Sequence, residues 1–437
     1  MAMRLDPVLL VELMAAAQAA LEAEATKRAG SGGAQLDRAA QEALVVHVLR
    51  REFQRVDERR LAQGSSRLSS EDEAALTDRV VAMTVGLGPI DVLLAEEDVE
   101  EVHYTRFDHG FMLRANGTRE PVGERFWWSQ PEQEVWLGHL ARTAGRTERQ
   151  FNAQSPLLVM RIGPGLRLAA TRDVSQHTTF ALRRNTMGAK VQLADLVGRG
   201  MFPEVLERFL LACMRSPEMR LVVDGATGAG KTTLVRALLG SLDPLVQVAI
   251  IEDTAEIDLY DEVLHPNVES WEERLPNNEG EGGISQGALV KHALRYRPEW
   301  LVLGEVRDSD AAVPMLKAMT HGQSSLTTVH AHSAVAALDK LALYLGTGED
   351  RLPIDTAHHQ LSQAIDFVVH LDRGSDGHRY IAEMAEVAGF DNGRCATNTI
   401  YTSSGGEGHT MQRVSMLHAE RLAAAGFDVT ELGGGWR

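Results

Sequence analysis

Apolar residues recur at helical spacing through the first part of the chain and gather into short strand-like runs further on. Val45, Leu49, Phe53 and Val56 lie three or four residues apart, the spacing that puts them on one face of a helix, and predict an amphipathic helix over about 37–62. Leu76, Val80 and Met83 repeat the stripe, and Ser70 with Glu73 three residues later predicts a capping box at its start. Residues 6–29 also predict a helix, with Asp6 as N-cap and Pro7 at the first helical position. That stretch is alanine-rich, so its apolar face is weak. Gly30-Ser31-Gly32-Gly33 ends it as a flexible joint. Residues 1–35 therefore read as an appended helical extension, and 36–85 as a small helical bundle.

From 86 to 184 the runs shorten. Val99–Tyr104, Gly110–Leu113, Leu157–Met160, Leu166–Ala170 and Thr179–Leu182 predict strands, and Gln133–Ala144 a helix, an α+β domain. Residues 185–200 read as a linker. From 201 to 390 strands alternate with helices, the pattern of a parallel sheet, with core strands at Leu221–Val223, Val246–Ile251, Trp300–Leu303 and Leu326–Val329. Residues 391–437 read as a tail, with a predicted helix over 411–425 and no recognisable chemistry.

Composition narrows the function. The 437 residues suffice for two or three domains, and 44 basic against 61 acidic residues give a net charge of −17. Nucleic-acid binders carry a basic footprint, so nucleic acid is not an expected partner. Two cysteines, Cys213 and Cys395, make neither a disulfide framework nor a metal knuckle and suit a reducing, cytoplasmic setting. No run of about 18 apolar residues predicts a membrane span, so contact with a membrane is expected to be peripheral or through a partner.

The chemistry centres on Leu221–Thr233. Gly225, Ala226, Thr227, Gly228, Ala229, Gly230, Lys231 and Thr232 fit the phosphate-loop pattern, between an apolar strand and a helix that opens near Thr233. The glycines let successive backbone N–H groups turn toward phosphate oxygens, and the helix start adds partial positive charge. Lys231 is expected to reach the β- and γ-phosphates of ATP, and the Thr232 hydroxyl to ligate Mg²⁺. Downstream, Trp300–Glu305 is an apolar strand ending in an acid. Glu305 is the expected catalytic carboxylate and a second Mg²⁺ contact, working alone or through a water because Gly304 occupies the preceding position. Glu252, Asp253 and Glu256 end another strand on the same crevice and are candidates for contact with Mg²⁺ or the attacking water, Glu252 and Glu256 as further catalytic acids. His330 and His332 end a third. Zinc would need further ligands, which leaves a polar γ-phosphate sensor as the reading of His330.

Taken together, the phosphate loop, Ile251–Glu256, Arg297–Asp308 and Thr327–Ala331 follow the order of motifs in the secretion traffic ATPases, which power type II and type IV secretion and related pili. Pro276–Gly282, Gly86–Pro89 and Arg161–Arg167 resemble the tight-adherence pilus (CpaF-like) branch, and Ile365–Leu371 with Glu386-Val387 its last core strands. The resemblance covers roughly 40–390. Two positions depart from it: Thr320–Ser324 lacks the usual Thr-Gly-His-x-Gly, and Val159-Met160 replaces an acid. The four-cysteine zinc module of type II secretion ATPases is absent.

The resemblance implies a RecA-like C-terminal domain behind an α+β N-terminal domain, assembled as a homo-hexamer. It implies ATP hydrolysis with Mg²⁺, and coupling to inner-membrane platform proteins at the inner face of the cell membrane. It also implies that Arg161, Arg167 and Arg183 match N-terminal-domain arginines that close over nucleotide, with Arg167 and Arg183 needed for turnover. Arg184 is expected to be a solvated bystander. Two other readings compete: a nucleic-acid-translocating ATPase, which needs a basic pore stripe, and a ring component that binds ATP without turning it over.

Overall fold

The computed structural model describes residues 7–30, 36–96, 98–144, 149–163, 165–184, 191–274, 276, 281–347, 351–405, 409–412 and 414–432. The chain divides into two compact units, Met1–Thr186 and Met187–Arg437.

In the first unit, α1 (Pro7–Gly30), α2 (Arg38–Ala62), α3 (Ser70–Thr84) and α4 (Ile90–Leu94) precede β1 (Val99–Arg106), β2 (His109–Arg114) and β3 (Arg119–Pro121). Then come α5 (Gln130–Thr143), β4 (Leu157–Gly163), β5 (Leu166–Thr171) and β6 (Thr179–Arg184). The strands form one antiparallel sheet in the order β3-β2-β1-β6-β5-β4. Alternation along β5 sends Leu166, Leu168 and Ala170 inward and Arg167 to the other face. The inner face meets an aromatic cluster of Tyr104, Trp127, Trp136 and Phe180. Trp136 Nε1 donates to the Leu87 carbonyl at 3.1 Å. Gly88 sits beside it at φ +71°, where a Cβ would lie 2.7 Å from that nitrogen, so no other residue fits.

Two expectations change here. Helix α1 is no appendage: Leu10, Leu13, Met14 and Ala17 are buried in the same core as Val45, Leu49, Leu76 and Trp136. Ala17 faces that core, while Ala15, Ala19, Ala23 and Ala25 are exposed. Asp6 and the glycine joint after Gly30 lie outside the described residues. The capping box of α3 is built by Ser69 and Asp72, one residue earlier than Ser70 and Glu73.

The second unit opens with α6 (Leu193–Gly198), α7 (Glu204–Arg215), β7 (Arg220–Gly225), α8 (Lys231–Leu239), β8 (Val248–Glu252) and β9 (Val268–Glu272). It continues with α9 (Gln286–Ala293), β10 (Trp300–Leu303), α10 (Ser309–Thr320), β11 (Ser324–Val329), α11 (Ala334–Thr347) and α12 (Ile354–Ala364). It closes with β12 (Phe367–Arg373), β13 (Arg379–Asp391), β14 (Arg394–Ser403), β15 (His409–Met411) and α13 (Met416–Ala424). The sheet order is β15-β14-β13-β12-β7-β11-β10-β8-β9. Pairing is parallel from β12 through β9 and antiparallel from β12 to β15.

Both faces of the parallel part are covered. Leu221, Val223, Ile250 and Val302 pack on α7 and α8, and Val222, Ile251, Leu301 and Leu303 on α10, α11 and α12. Burial on both sides explains why these strands read as continuous apolar runs. This is the expected α/β class, with a parallel-core phosphate-loop unit behind an α+β unit. The ends of that unit differ from expectation. Residues 193–198 of the expected linker are helical, with Leu193 and Leu196 in the core, while 185–190 lie outside the described residues. The expected tail is part of the fold: β14 and β15 extend the sheet, and Ile400, Tyr401, Ala419, Leu422 and Phe427 join the core.

Candidate nucleotide site

The loop from Gly225 to Gly230 joins β7 to α8 at the carboxyl end of the sheet. Gly225, Gly228 and Gly230 have φ of +146°, +78° and +100°. At Gly225 a Cβ would also come within 2.5 Å of the Leu371 carbonyl oxygen, so this glycine is required twice over. Ala226 and Thr227 are exposed, Ala229 is buried, and Thr232 and Thr233 are half-buried in the first turn of α8.

Three neighbouring strand ends meet this loop, because β10 lies between β11 and β8 and β11 adjoins β7. Lys231 is buried, and its ammonium donates to the carbonyls of Gly225 at 2.8 Å and Ala226 at 3.1 Å and to His330 Nδ1 at 2.9 Å. Since an ammonium only donates, His330 accepts at Nδ1. Its Nε2 lies 3.2 Å from Glu305 Oε1. Arg307 reaches the other Glu305 oxygen at 3.0 Å and also pairs with Asp253. Burial alone would disfavour the Arg307 guanidinium, but the two carboxylates outweigh it and raise its pKa. Asp253, Arg307, Glu305, His330 and Lys231 thus form a chain of polar contacts from β8 to the phosphate loop. Lys340 from α11 holds the His330 carbonyl at 2.7 Å.

Glu252 plays a different part from Glu305. It is buried, and burial pushes its pKa up to about 8 against the opposing effect of two amides, Glu256 N and Ile257 N, which donate to Oε1 at 2.9 and 3.0 Å. Its Oε2 has no partner among the described residues. Glu256 joins this group through its backbone, its carbonyl also accepting from Arg236. The Glu252 side chain explains Gly304, where a Cβ would lie 2.9 Å from Glu252 Cγ. An acid does not fit at 304, and Glu305 is left as the carboxylate at that strand end.

The donor set suits Mg²⁺ rather than a softer ion. Thr232 offers a hydroxyl and Glu305 a carboxylate, both hard oxygens, and Mg²⁺ characteristically keeps waters and phosphate oxygens as its other ligands.

Within the first unit, Arg161, Arg167 and Arg183 stand opposite one another on β4, β5 and β6, and Arg183 pairs onward with Glu101 of β1. They form one row on the face away from the aromatic core. Arg161 Nε donates to Gly163 O at 2.9 Å, and Arg183 lies 3.7 Å from Glu101. Arg184 is not a solvated bystander. It donates to the carbonyls of Leu94 at 2.7 Å and Glu96 at 3.0 Å, closing the end of α4. Its alternation along β6 puts it on the opposite side from Arg183.

Sequence reasoning missed several contributors. Gln286, buried at the start of α9, spans two strand ends. With its amide oriented to satisfy both, it donates to Glu305 O at 3.3 Å and accepts from Asp253 N at 2.8 Å. Lys340, Asp224 and His370 were also passed over. Asp224 beside the first loop glycine, and His370 inside an apolar strand, were the available signals.

Fold and site together define an α/β phosphate-loop protein with acid, arginine and histidine at the carboxyl ends of its strands. The chain belongs to the type II/IV secretion system protein family, whose model matches residues 169–405. A putative conjugal transfer protein of Mycobacterium tuberculosis strain H37Rv is 34% identical over 308 residues, 69% of this chain and 84% of that protein. The type IV secretion system protein VirB11 of Brucella suis is 26% identical over 72% of this chain and 92% of its own. Among solved structures, the Legionella pneumophila ATPase DotB aligns with 69% of this chain and 81% of its own at 19% identity and a TM-score of 0.49. Among the described residues no helix is long and apolar enough to cross a membrane.

Proposed function

We propose that this chain is a Mg²⁺-dependent ATPase that drives a secretion or pilus-assembly machine, of the tight-adherence (CpaF-like) branch, as a homo-hexamer. The observation that carries the reading is the chain of contacts from Lys231 through His330 and Glu305 to Arg307 and Asp253. Lys231, Glu305 and His330 meet at one loop, which supports reading Lys231 as a phosphate binder. Lys231 leaves the Gly225 and Ala226 carbonyls to bind the β- and γ-phosphates. Thr232 and Glu305 would hold Mg²⁺, which would supply positive charge to offset the charge that builds on the phosphates. Glu305 orients the attacking water, and His330 contacts the γ-phosphate. The homologues named for conjugal transfer and type IV secretion support a machine of that class. Inner-membrane platform proteins would receive the motion, with the chain on the cytoplasmic side.

Steady-state phosphate release beside equilibrium ATP binding tests the site. Lys231→Ala is expected to lose binding and turnover together; Glu305→Gln is expected to keep affinity while losing hydrolysis where its main work is on the water, and equal loss of both makes it a Mg²⁺ anchor instead. Wild-type turnover in Lys231→Ala rejects the assignment. Hydrolysis that rises on adding DNA favours a nucleic-acid motor instead.

A further inference from the structure

Behind the phosphate loop, three charged or titratable side chains occupy one row across adjacent strands, and the reaction scheme uses none of them. Asp224 is the residue before Gly225. In the sheet it stands opposite His370 of β12, which stands opposite Glu383 of β13. His370 Nδ1 donates to Asp224 Oδ1 at 2.6 Å. Asp224 is fully buried, and its Oδ2 has no partner among the described residues. Glu383 accepts from Thr399 Oγ1 at 3.2 Å and from the backbone N–H of Ala334 at 3.3 Å. Ala334 is the first residue of α11, just after the His330–His332 segment. The residue after His370, Leu371, is the one whose carbonyl abuts Gly225.

A buried ionisable row is costly unless paired, and a well-packed apolar row would be at least as stable. Its place, between the entrance of the phosphate loop and the exit of the histidine strand, gives it a use. We propose that His370 is a positioning residue of the nucleotide site, an imidazolium that holds Asp224 and so sets the charge behind the phosphate loop. The inference rests on the nucleotide-site reading above.

The electrostatics fix the sign. The charged groups that face the pair are Lys231, Glu383 and Asp372. Burial disfavours the His370 imidazolium, but the bond to Asp224 and the attraction of Asp224, Asp372 and Glu383 outweigh it and raise its pKa. Burial likewise raises Asp224, against the opposing effect of His370. Both directions mean that the pair retains its proton. When that proton leaves, one more negative charge stands beside Lys231 and weakens the attraction for phosphate. A group with a raised pKa keeps its effect at low pH and loses it as pH climbs through the raised value. Nucleotide affinity should therefore fall on the alkaline side of the ordinary histidine range, near 6.5.

The test is equilibrium binding of the N-methylanthraniloyl derivative of ADP to the full chain with Mg²⁺, from about pH 6 to pH 9. Thermal midpoints are recorded in the same buffers. Wild type is expected to lose on the order of tenfold in affinity, the equivalent of a one-unit difference in the pair's proton affinity. His370→Gln keeps a donor for Asp224 but cannot change charge, and should show a flat profile; Asp224→Asn leaves the imidazole without its carboxylate partner, and should move the fall in affinity to lower pH. The wild-type His370 ring resonance should titrate at the pH where affinity changes, a readout that needs no variant. Parallel profiles in wild type and His370→Gln, a flat wild-type profile, or ring titration at a different pH overturns the proposal and leaves the nucleotide site standing. Absence of binding at every pH removes the nucleotide reading and this inference with it.

Discussion

Glu252 and Glu305 show how two carboxylates about 50 residues apart in sequence take different roles through their surroundings. Glu305 meets a guanidinium and an imidazole, whereas Glu252 is enclosed, with one oxygen on two amides and the other without a described partner. Burial raises Glu252 to about 8. The folded chain therefore holds a proton on Glu252 that the unfolded chain gives up near pH 4.5, and each pH unit between the two values costs about 1.4 kcal/mol of stability at most. Glu252→Gln can keep both amide bonds and has no charge to bury. It is expected to raise the thermal midpoint at pH 8 by several degrees and change it little at pH 5. Equal shifts at the two pH values would show that Glu252 titrates normally in the folded protein.

At the scale of elements, α13 is fastened by charge as well as by apolar packing. His418 bridges Glu386 and Asp366, while Arg421 reaches Asp366 at 2.9 Å and the Pro217 carbonyl at 2.8 Å. Arg220 from β7 grips both oxygens of Asp366 at 2.9 Å. Burial opposes the His418 imidazolium, but the two carboxylates raise its pKa; burial likewise opposes ionised Asp366, yet His418 and the arginines depress it. The His418 contribution is therefore complete below about pH 6.5 and lost as pH rises through its raised value. The Asp366 contribution is present above about pH 3.9 and lost on strong acidification. His418→Ala is expected to cost about 3–5 kcal/mol in urea denaturation at pH 6, because two buried carboxylates lose a partner. A loss below about 1 kcal/mol, the range of exposed ion pairs, would mean that Ala419, Leu422 and Arg421 hold α13 without His418.

At the scale of the whole molecule, the row Arg161–Arg167–Arg183 belongs to one unit and the phosphate loop to the other. The proposed motor function requires chemistry that depends on the movement of its parts, and an arginine that entered only on closure would provide it. Such an arginine is worth about 10³–10⁵ in rate. Arg167→Ala and Arg183→Ala are expected to keep near-normal ATP binding and lose most turnover in a steady-state ATPase assay. Arg184→Ala opens the carbonyl end of α4 and is expected to lower the thermal midpoint by a few degrees, so it serves as a stability comparison and not a silent control. Full turnover in Arg167→Ala and Arg183→Ala would assign the first unit to docking instead of catalysis.

The sequence by itself determined the phosphate loop, the parallel core strands and the division between α+β and α/β segments. These depend on local rules: glycine freedom at fixed spacing, apolar runs of strand length, and motif order. Tertiary structure decided the rest. Helix α1 has weak periodicity and β14, β15 and α13 carry no recognisable motif, and only packing against α2, α5, β13 and α7 makes them part of a core. Gly304 looks like a missing acid until Glu252 is seen filling its space. Arg183 and Arg184 are adjacent in sequence, yet strand alternation sends one to a basic row and the other to a helix end. Asp224 and His370 lie 146 residues apart, and a hydrogen bond between them exists only because β7 and β12 are neighbours in the sheet. Local pattern specifies which element a residue joins; its charge state and partners depend on which distant strand folds beside it.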